Sequence, residues 1–234
     1  MSYRPILTPE ELQEYLAGAT VVAFDFETSP VNPYRKDEGA SFDPHKSHIV
    51  GMSFSIAEND AIYVPLAHRL ADAAQDAASG NAADQDAIWN WLAENFFINP
   101  SIVKVAHNLA FEASFLYALG IVVQEPCYDT IAGSQLLYKN ETDFRTLADS
   151  GLKKLAAEFF DVTLPSFADT VGSRHFDELA PTAENTVHYA CADADYALRV
   201  YHLLNGWFDR YLPKHRFVVE RIESPTAVYV GIMG

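Results

Sequence analysis

The stretch VVAFDFETSP, Val21 to Pro30, decides the fold. Its β-branched start and dense apolar run read as a buried strand from Thr20 to Glu27. Two carboxylates, Asp25 and Glu27, sit inside that run, and a buried charge is costly unless it is paired or bound to a metal. Residues two apart in a strand point to the same face. Asp25 and Glu27 are therefore neighbours, with Phe24 and Phe26 on the opposite face. Both acids lie near the carboxyl end of the strand, and in open α/β sheets ligands bind in the crevice beyond the carboxyl ends.

Upstream, TPEELQEYLAG reads as a helix: Thr8 caps it, Pro9 suits the first turn, Glu11 completes a capping box and Gly18 ends it. Downstream, SPVNPYRKDEGASFDPHKSH is a loop rich in Pro, Asp and Gly. HIVGMSFSIAENDAIYVPLAH reads as a hairpin that turns at Glu58, Asn59 and Asp60. ADAAQDAASGNAADQDA is small and polar and reads as a mobile loop. DAIWNWLAENFF is an amphipathic helix, SIVKVAH a short buried strand, and NLAFEASFLYALG a helix stopped by Gly120. Three further helices follow: YDTIAGSQLLY, which Asp129 can cap, LKKLAAEFF, and AENTVHYACADADYALRVYHLLNGWF. This order favours an α/β domain, a mixed β-sheet covered by helices.

The strand SIVKVAH arrives through a helix, so it can run parallel to the first strand and lie beside it. Its carboxyl end then brings HNLAFE to the same crevice. Asn108 and Glu112 are four apart and share a helix face, as do Tyr189 and Asp193 in HYACADADYALRVY. Three separated segments thus each offer carboxylate: Asp25 with Glu27, then Glu112, then Asp193. Oxygen ligands alone suit hard cations, Mg²⁺ or Mn²⁺. Each segment also has a plainer reading. The strand-end pair can be a loop boundary, Glu112 a surface residue behind a capping Asn108, Asp193 and Asp195 one solvated face, and Tyr189 a packing residue.

The 234 residues, 49% hydrophobic and 21% charged, suit one large domain, or one domain with an appendage. With 32 acidic against 16 basic side chains the net charge is −16. That argues against a broad duplex-binding surface, which would be basic. It leaves room for a narrow site that holds a few nucleotides through metal ions. No apolar stretch is long enough to span a bilayer, and the N-terminus lacks a secretion signal. Cys127 and Cys191 have no metal-type spacing, which points to a reduced, cytoplasmic protein.

FDFET, HNLAFE and YACAD, in that order, resemble the three motifs of the DEDD exonuclease superfamily in its tyrosine-containing branch. The chain is most similar to the 3′–5′ proofreading domain of family A, DNA polymerase I-like, polymerases. The hairpin, with its VG-S- and Y-P-AH pattern, and the segments YDTIAGSQLLY, LKKLAAEFF and SFADTVG match in order. The similarity runs from about Val21 to Phe208. It implies a ribonuclease H-like fold, a mixed β-sheet flanked by α-helices. It implies that Asp25, Glu27 and Asp193 are metal ligands and that Tyr189 orients the attacking water. Thr28, Val31, Asn108 and Phe167 fall where the family contacts the terminal nucleotides, and Phe111 falls near that surface. Val31, Phe111 and Phe167 equally suit plain core packing.

One position departs from the pattern: the second motif usually carries Asp where this chain has Glu112, shifting the carboxylate by about 1.5 Å. Glu112 would help hold a second metal. Asp195, beyond the motif, reads as surface or as support behind the ligands. The implied activity is removal of nucleotides, as 5′-monophosphates, from the 3′ end of single-stranded or frayed DNA. Two Mg²⁺ or Mn²⁺ ions about 3.5–4 Å apart would straddle the scissile phosphate. An RNase D-like RNA exonuclease and an inactive polymerase scaffold are the alternatives. The expected division is 1–210 for the exonuclease domain and 211–234 for a helical segment, VVERIESPTAVYVGIMG at its core, resembling the start of a polymerase domain. A covalent polymerase partner, single-stranded DNA 3′ ends as substrate, and no membrane association follow as expectations. Met1, directly before the domain, suggests that no 5′ nuclease domain precedes it.

Overall fold

In a computed structural model, which describes residues 1–69, 80–137 and 145–233, VVAFDFETSP is a single ten-residue strand, Val21–Pro30. In chain order the described elements are β1 (Ser2–Pro5), α1 (Pro9–Leu16), β2 (Val21–Pro30), β3 (Ser47–Ala57), β4 (Asp60–Pro65) and α2 (Gln85–Leu92). Then come β5 (Val103–Ala106), α3 (Leu109–Ala118), β6 (Cys127–Asp129), α4 (Thr130–Gln135), α5 (Leu152–Phe160) and α6 (Phe167–Val171). The chain closes with α7 (Glu184–Tyr211), α8 (Pro213–Val218) and α9 (Ser224–Met233). Most of the small polar stretch Ala71–Ala87 that reads as a loop lies outside the described residues, as does the end of YDTIAGSQLLY at Tyr138.

The strands form one mixed sheet in the order β1-β4-β3-β2-β5-β6. As expected, β3 and β4 form the antiparallel hairpin, and β5 lies parallel beside β2, Val21 opposite Val103. Two strands escape the sequence reading. β6 pairs parallel with β5, and β1 pairs parallel with β4 at the far edge.

The two faces of β2 divide the molecule. Phe24 and Phe26 point into a core shared with Leu12 of α1, Ile88 and Leu92 of α2, Phe96, Phe97, and Phe115 and Leu116 of α3. Phe24 meets Phe96 and Phe97 edge-on, with centroids 5.6 and 5.5 Å apart, the arrangement aromatic quadrupoles favour. On the other face, Ala23, Val105 of β5 and Tyr128 of β6 pack with Leu155 of α5 and Ala192, Tyr196 and Val200 of α7. Asp25 and Glu27 share that second face, so they open toward α7.

The VG-S- and Y-P-AH pattern has a steric cause. A Cβ at Gly51 would sit 2.1 Å from the Tyr63 hydroxyl. Glycine there lets the Tyr63 ring lie across β3, where its hydroxyl pairs with His68 Nε2 at 2.7 Å. His68 Nδ1 lies 2.9 Å from the Leu179 carbonyl. That carbonyl can only accept, so Nδ1 carries the proton and the Tyr63 hydroxyl donates to Nε2. Burial pushes the His68 imidazole down to about 4, which keeps it neutral.

Gly51→Ala should therefore displace the Tyr63 ring and break its pairing with His68. The expected loss is about 1–3 kcal/mol, the range for overpacking a core. It is read as a lowered midpoint in urea unfolding. An unchanged midpoint would show that the ring moves at no cost.

Candidate active site

The bulge between Glu27 and Thr28 marks where β2 leaves regular pairing with β3: Glu27 lies opposite Gly51, but Thr28 opposite Ile49. Bulges re-aim side chains and are common beside active sites. Here the acids just before it face α7, whose 28 residues make a rod roughly 42 Å long. Asp193 projects from α7 toward β2. Oxygens of Asp25, Glu27 and Asp193 lie within 4.8 Å of one another. Glu27 is buried, and Asp25 and Asp193 are partly so.

Such a cluster is electrostatically unfavourable on its own. Burial raises the Asp25 and Glu27 carboxyls well above their ordinary range, and neighbouring negative charge, from Asp193 on both and from Asp25 on Glu27, adds to it. Asp193 is pushed up to about 6, again by burial. One positive charge opposes all three shifts, that of Lys153 on α5. Its ammonium sits 4.9 Å from the centroid of the Tyr189 ring, a cation–π distance.

Glu112 stands outside the group of three mutually close acids. It is buried on α3, and burial together with the Asp25 charge raises its carboxyl well above the usual range. One oxygen each of Glu27 and Glu112 is buried without a hydrogen-bond partner. An all-oxygen donor set with orphaned carboxylate oxygens is what a hard divalent cation would satisfy.

A pocket of about 500 Å³ opens on this cluster and is lined by Asp25, Asp193, Asn108, His107, Ile131 and Lys153, among others. Asn108 is exposed, and its φ of 80° places it in the left-handed region that Asn tolerates. It stands at the N-cap position of α3, but its side chain does not cap. The cap comes from Asp129, whose two oxygens accept from the backbone N–H groups of Asn108 (3.2 Å) and Leu109 (3.1 Å). The same carboxylate accepts from Ile131 N–H at 2.9 Å, so it caps α4 as well. The Asp129 N–H in turn donates to Ser224 Oγ at 2.8 Å, at the start of α9. α9 packs close on α3, where Gly231 leaves no room for a Cβ, which would lie 2.2 Å from the Ala110 carbonyl.

Tyr189 is buried between Phe167, 6.2 Å away, and Phe176, 5.9 Å away, and burial together with the acidic charge pushes its hydroxyl far up. Phe167 stays half exposed beside it. Phe111 meets Phe42 at 6.1 Å and Phe115 at 4.9 Å, and does not line the acidic pocket. The Thr28 hydroxyl donates to the Ser41 carbonyl at 2.7 Å, and Val31 N–H to the Lys46 carbonyl at 2.8 Å. Both therefore brace the loop after β2, and neither lines the acidic pocket.

The reading of Asp195 as surface is corrected. It is fully buried, and accepts from Tyr3 Oη (2.6 Å), Asn59 N–H (3.1 Å) and both Arg199 Nε (3.0 Å) and Nη2 (2.7 Å). Helix residues two apart do not face the same way, so Asp193 and Asp195 cannot form one solvated face. Asp195 fastens β1 and the hairpin turn to α7. Lys153 and His107 were missed as site residues. A lysine on an amphipathic helix reads as solvated, and His107 reads as a strand end.

With this geometry in view, the chain can be set beside known proteins. Residues 3–206 match the model of a family described as 3′–5′ exonuclease. The chain belongs to the 3′–5′ exonuclease family of family A DNA polymerases. DNA polymerase I of Chloroflexus aurantiacus is 29% identical over 196 residues, 81% of this chain and 17% of that protein. DNA polymerase I of Pseudomonas aeruginosa is 29% identical over 216 residues, 90% and 21%. The chain thus spans about a fifth of the length of these relatives. Among solved structures, Brucella melitensis NrnC with bound Mg²⁺ superposes with a TM-score of 0.62 at 20% identity, covering 100% of this chain and 95% of that one. Trypanosoma brucei RNase D in complex with RNA U12 gives a TM-score of 0.71 at 18% identity, covering 99% and 70%. These structures bear out the ribonuclease H-like fold of the exonuclease family. Among the described residues no helix is long and apolar enough to cross a membrane.

If the acids repel one another without a cation, Asp193→Asn should raise the thermal midpoint of the metal-free protein. Each kcal/mol gained corresponds to about 2–4 °C at this size. The same variant should lose the upward shift that Mn²⁺ gives the parent chain. Lys153→Met should act oppositely, lowering the metal-free midpoint and enlarging the Mn²⁺ shift. Differential scanning fluorimetry with and without Mn²⁺ measures both, and midpoints that do not move would remove the repulsion.

Proposed function

We propose that the chain removes nucleotides, as 5′-monophosphates, from the 3′ end of single-stranded or frayed DNA, acting as the proofreading part of a DNA polymerase. The observation that supports this best is the trio Asp25, Glu27 and Asp193 within 4.8 Å, opening into a pocket that Asn108 also lines. We further propose that residues 211–234 begin the polymerase region that such a domain accompanies.

In this reading Asp25, Glu27 and Asp193 would hold one Mg²⁺ or Mn²⁺ ion, and Glu112 would help hold a second. Divalent ions bound there supply a water acidified enough to attack and positive charge beside the scissile phosphate. The protein's own part is to place and exclude. Tyr189 holds the attacking water by hydrogen bonding; its raised pKa keeps the hydroxyl protonated, so it orients rather than deprotonates. Asn108 contacts the terminal nucleotide, and Phe167, half exposed beside Tyr189, offers a face to the last base. Selection of mismatched ends needs no reading of the base. Unstacking costs a few kcal/mol and least for a mismatched base, so a site that admits only single strands receives frayed ends first.

Digestion of matched, labelled DNA and RNA oligonucleotides with Mg²⁺, Mn²⁺ or EDTA tests the proposal. DNA should shorten from its 3′ end only with metal, and a strong preference for RNA would replace the substrate. Asp25→Ala should lower the rate by about 100- to 1,000-fold or more, the equivalent of several kcal/mol of lost charge stabilisation. Glu112→Asp should keep or raise activity, while Glu112→Ala should lower it about tenfold or more. Full activity in Glu112→Ala would remove that residue from the site, and full activity in Asp25→Ala would show the site misplaced.

A further inference from the structure

A second groove, about 450 Å³, shares a wall with the acidic pocket: Asn108 lines both. Its remaining walls include Phe42, Pro44 and His45 from the loop after β2, Phe111 from α3 and Val230 from α9. The volume lies in the range of ligand sites.

The most unusual wall is Phe42. It is 72% exposed, although its ring stands edge-on to Phe111 at 6.1 Å. The backbone just before it is tied down from both flanking strands. Beside it, the Ser41 carbonyl accepts from Thr28 Oγ1 at 2.7 Å, and the Ala40 carbonyl from Ser47 Oγ at 2.6 Å, so both ends of the sheet connection grip the turn. Further back, Arg35 makes two parallel hydrogen bonds to Asp177, each 2.9 Å. A large aromatic face is thus held out to solvent by a braced turn one residue from a contact to the strand of Asp25 and Glu27.

The charge balance says what such a face is for. Nucleic-acid binding usually draws on basic contacts to phosphate, and a chain of net charge −16 has few to offer. This groove carries one carboxylate, Asp43, and Lys46 lies 3.6 Å from it, which blunts its field. Away from the acidic cluster and any cation it holds, sequence-tolerant stacking of bases on aromatic rings is a source of affinity that needs no basic contact.

We propose that this groove, resting on the nuclease reading above, is the subsite for the nucleotides upstream of the 3′-terminal one, with a base of single-stranded DNA stacked on Phe42. Phe111 backs the platform, and Asn108 is the wall this subsite shares with the acidic pocket.

The test compares Phe42→Ala and Phe42→Trp with the parent chain on a DNA dinucleotide and on a single-stranded octanucleotide. Phe42→Ala should lower the ratio of kcat/KM for the octanucleotide over the dinucleotide by about 5- to 150-fold, the range set by one lost base stack. Phe42→Trp should restore it. An equal ratio in parent and Phe42→Ala overturns the subsite. Fluorescence anisotropy of a labelled octanucleotide separates this from failure of the nuclease reading. Binding without cleavage by the parent, with a Kd weakened in Phe42→Ala, overturns the nuclease and keeps the subsite. An equal Kd overturns the subsite whatever the activity.

Discussion

The mutual repulsion of three carboxylates is the constraint around which this molecule is arranged. Asp25, Glu27 and Asp193 are drawn within 4.8 Å in a place where burial already disfavours charge. Such a cluster holds only if the elements that carry it cannot retreat. β2 is fixed on both sides, antiparallel to β3 and parallel to β5, and its phenylalanines are locked into an aromatic core on the far face. α7 is anchored along its length, by Val187 and Ala190 at one end and by Leu204 and Phe208 toward the other. Lys153 then offsets part of the repulsion from α5. The stability of the frame is spent on a site that destabilises it, which is how function and stability commonly trade.

Much of this was readable because it rests on short-range rules. The alternation of acid and Phe in β2 assigns its two faces, and the helix between β4 and β5 forces a crossover, hence a parallel neighbour. The same rules hide other parts. β1 and β6 have four and three residues, too few to show a period, and their existence depends on partners distant in sequence. Asp129 reads as the cap of the helix that follows it. Its second duty, at the start of α3 twenty residues earlier, is a tertiary fact with no local sign. The spacing of Asn108 and Glu112 suggests one helix face, but α3 starts only at Leu109, so Asn108 stands exposed in a left-handed turn before it while Glu112 is buried, a difference that spacing alone does not reveal. The braced turn under Phe42 was invisible for a like reason: a Pro- and Gly-rich stretch announces a loop but not its grip.

Acidity and nucleic-acid chemistry are reconciled by scale. The net charge of −16 sets the far field, which repels phosphate. Within a few ångströms the local terms are different ones: carboxylates suited to cations, a lysine ammonium over Tyr189, and aromatic faces at Phe167 and Phe42. Long-range repulsion between exposed charges fades beyond a Debye length, about 8 Å at physiological salt. Contacts inside the pocket do not fade with it.

Asp129 carries a consequence of another kind. One carboxylate closes the first turns of α3 and α4, and its own amide is held by Ser224 of α9. Three walls of the pocket region therefore share a single joint. Sequence drift on any one of those helices can be absorbed locally, but a change at the joint is felt by all of them at once and has no partial remedy. A molecule built this way can vary widely around its rim and almost not at all at its pivot.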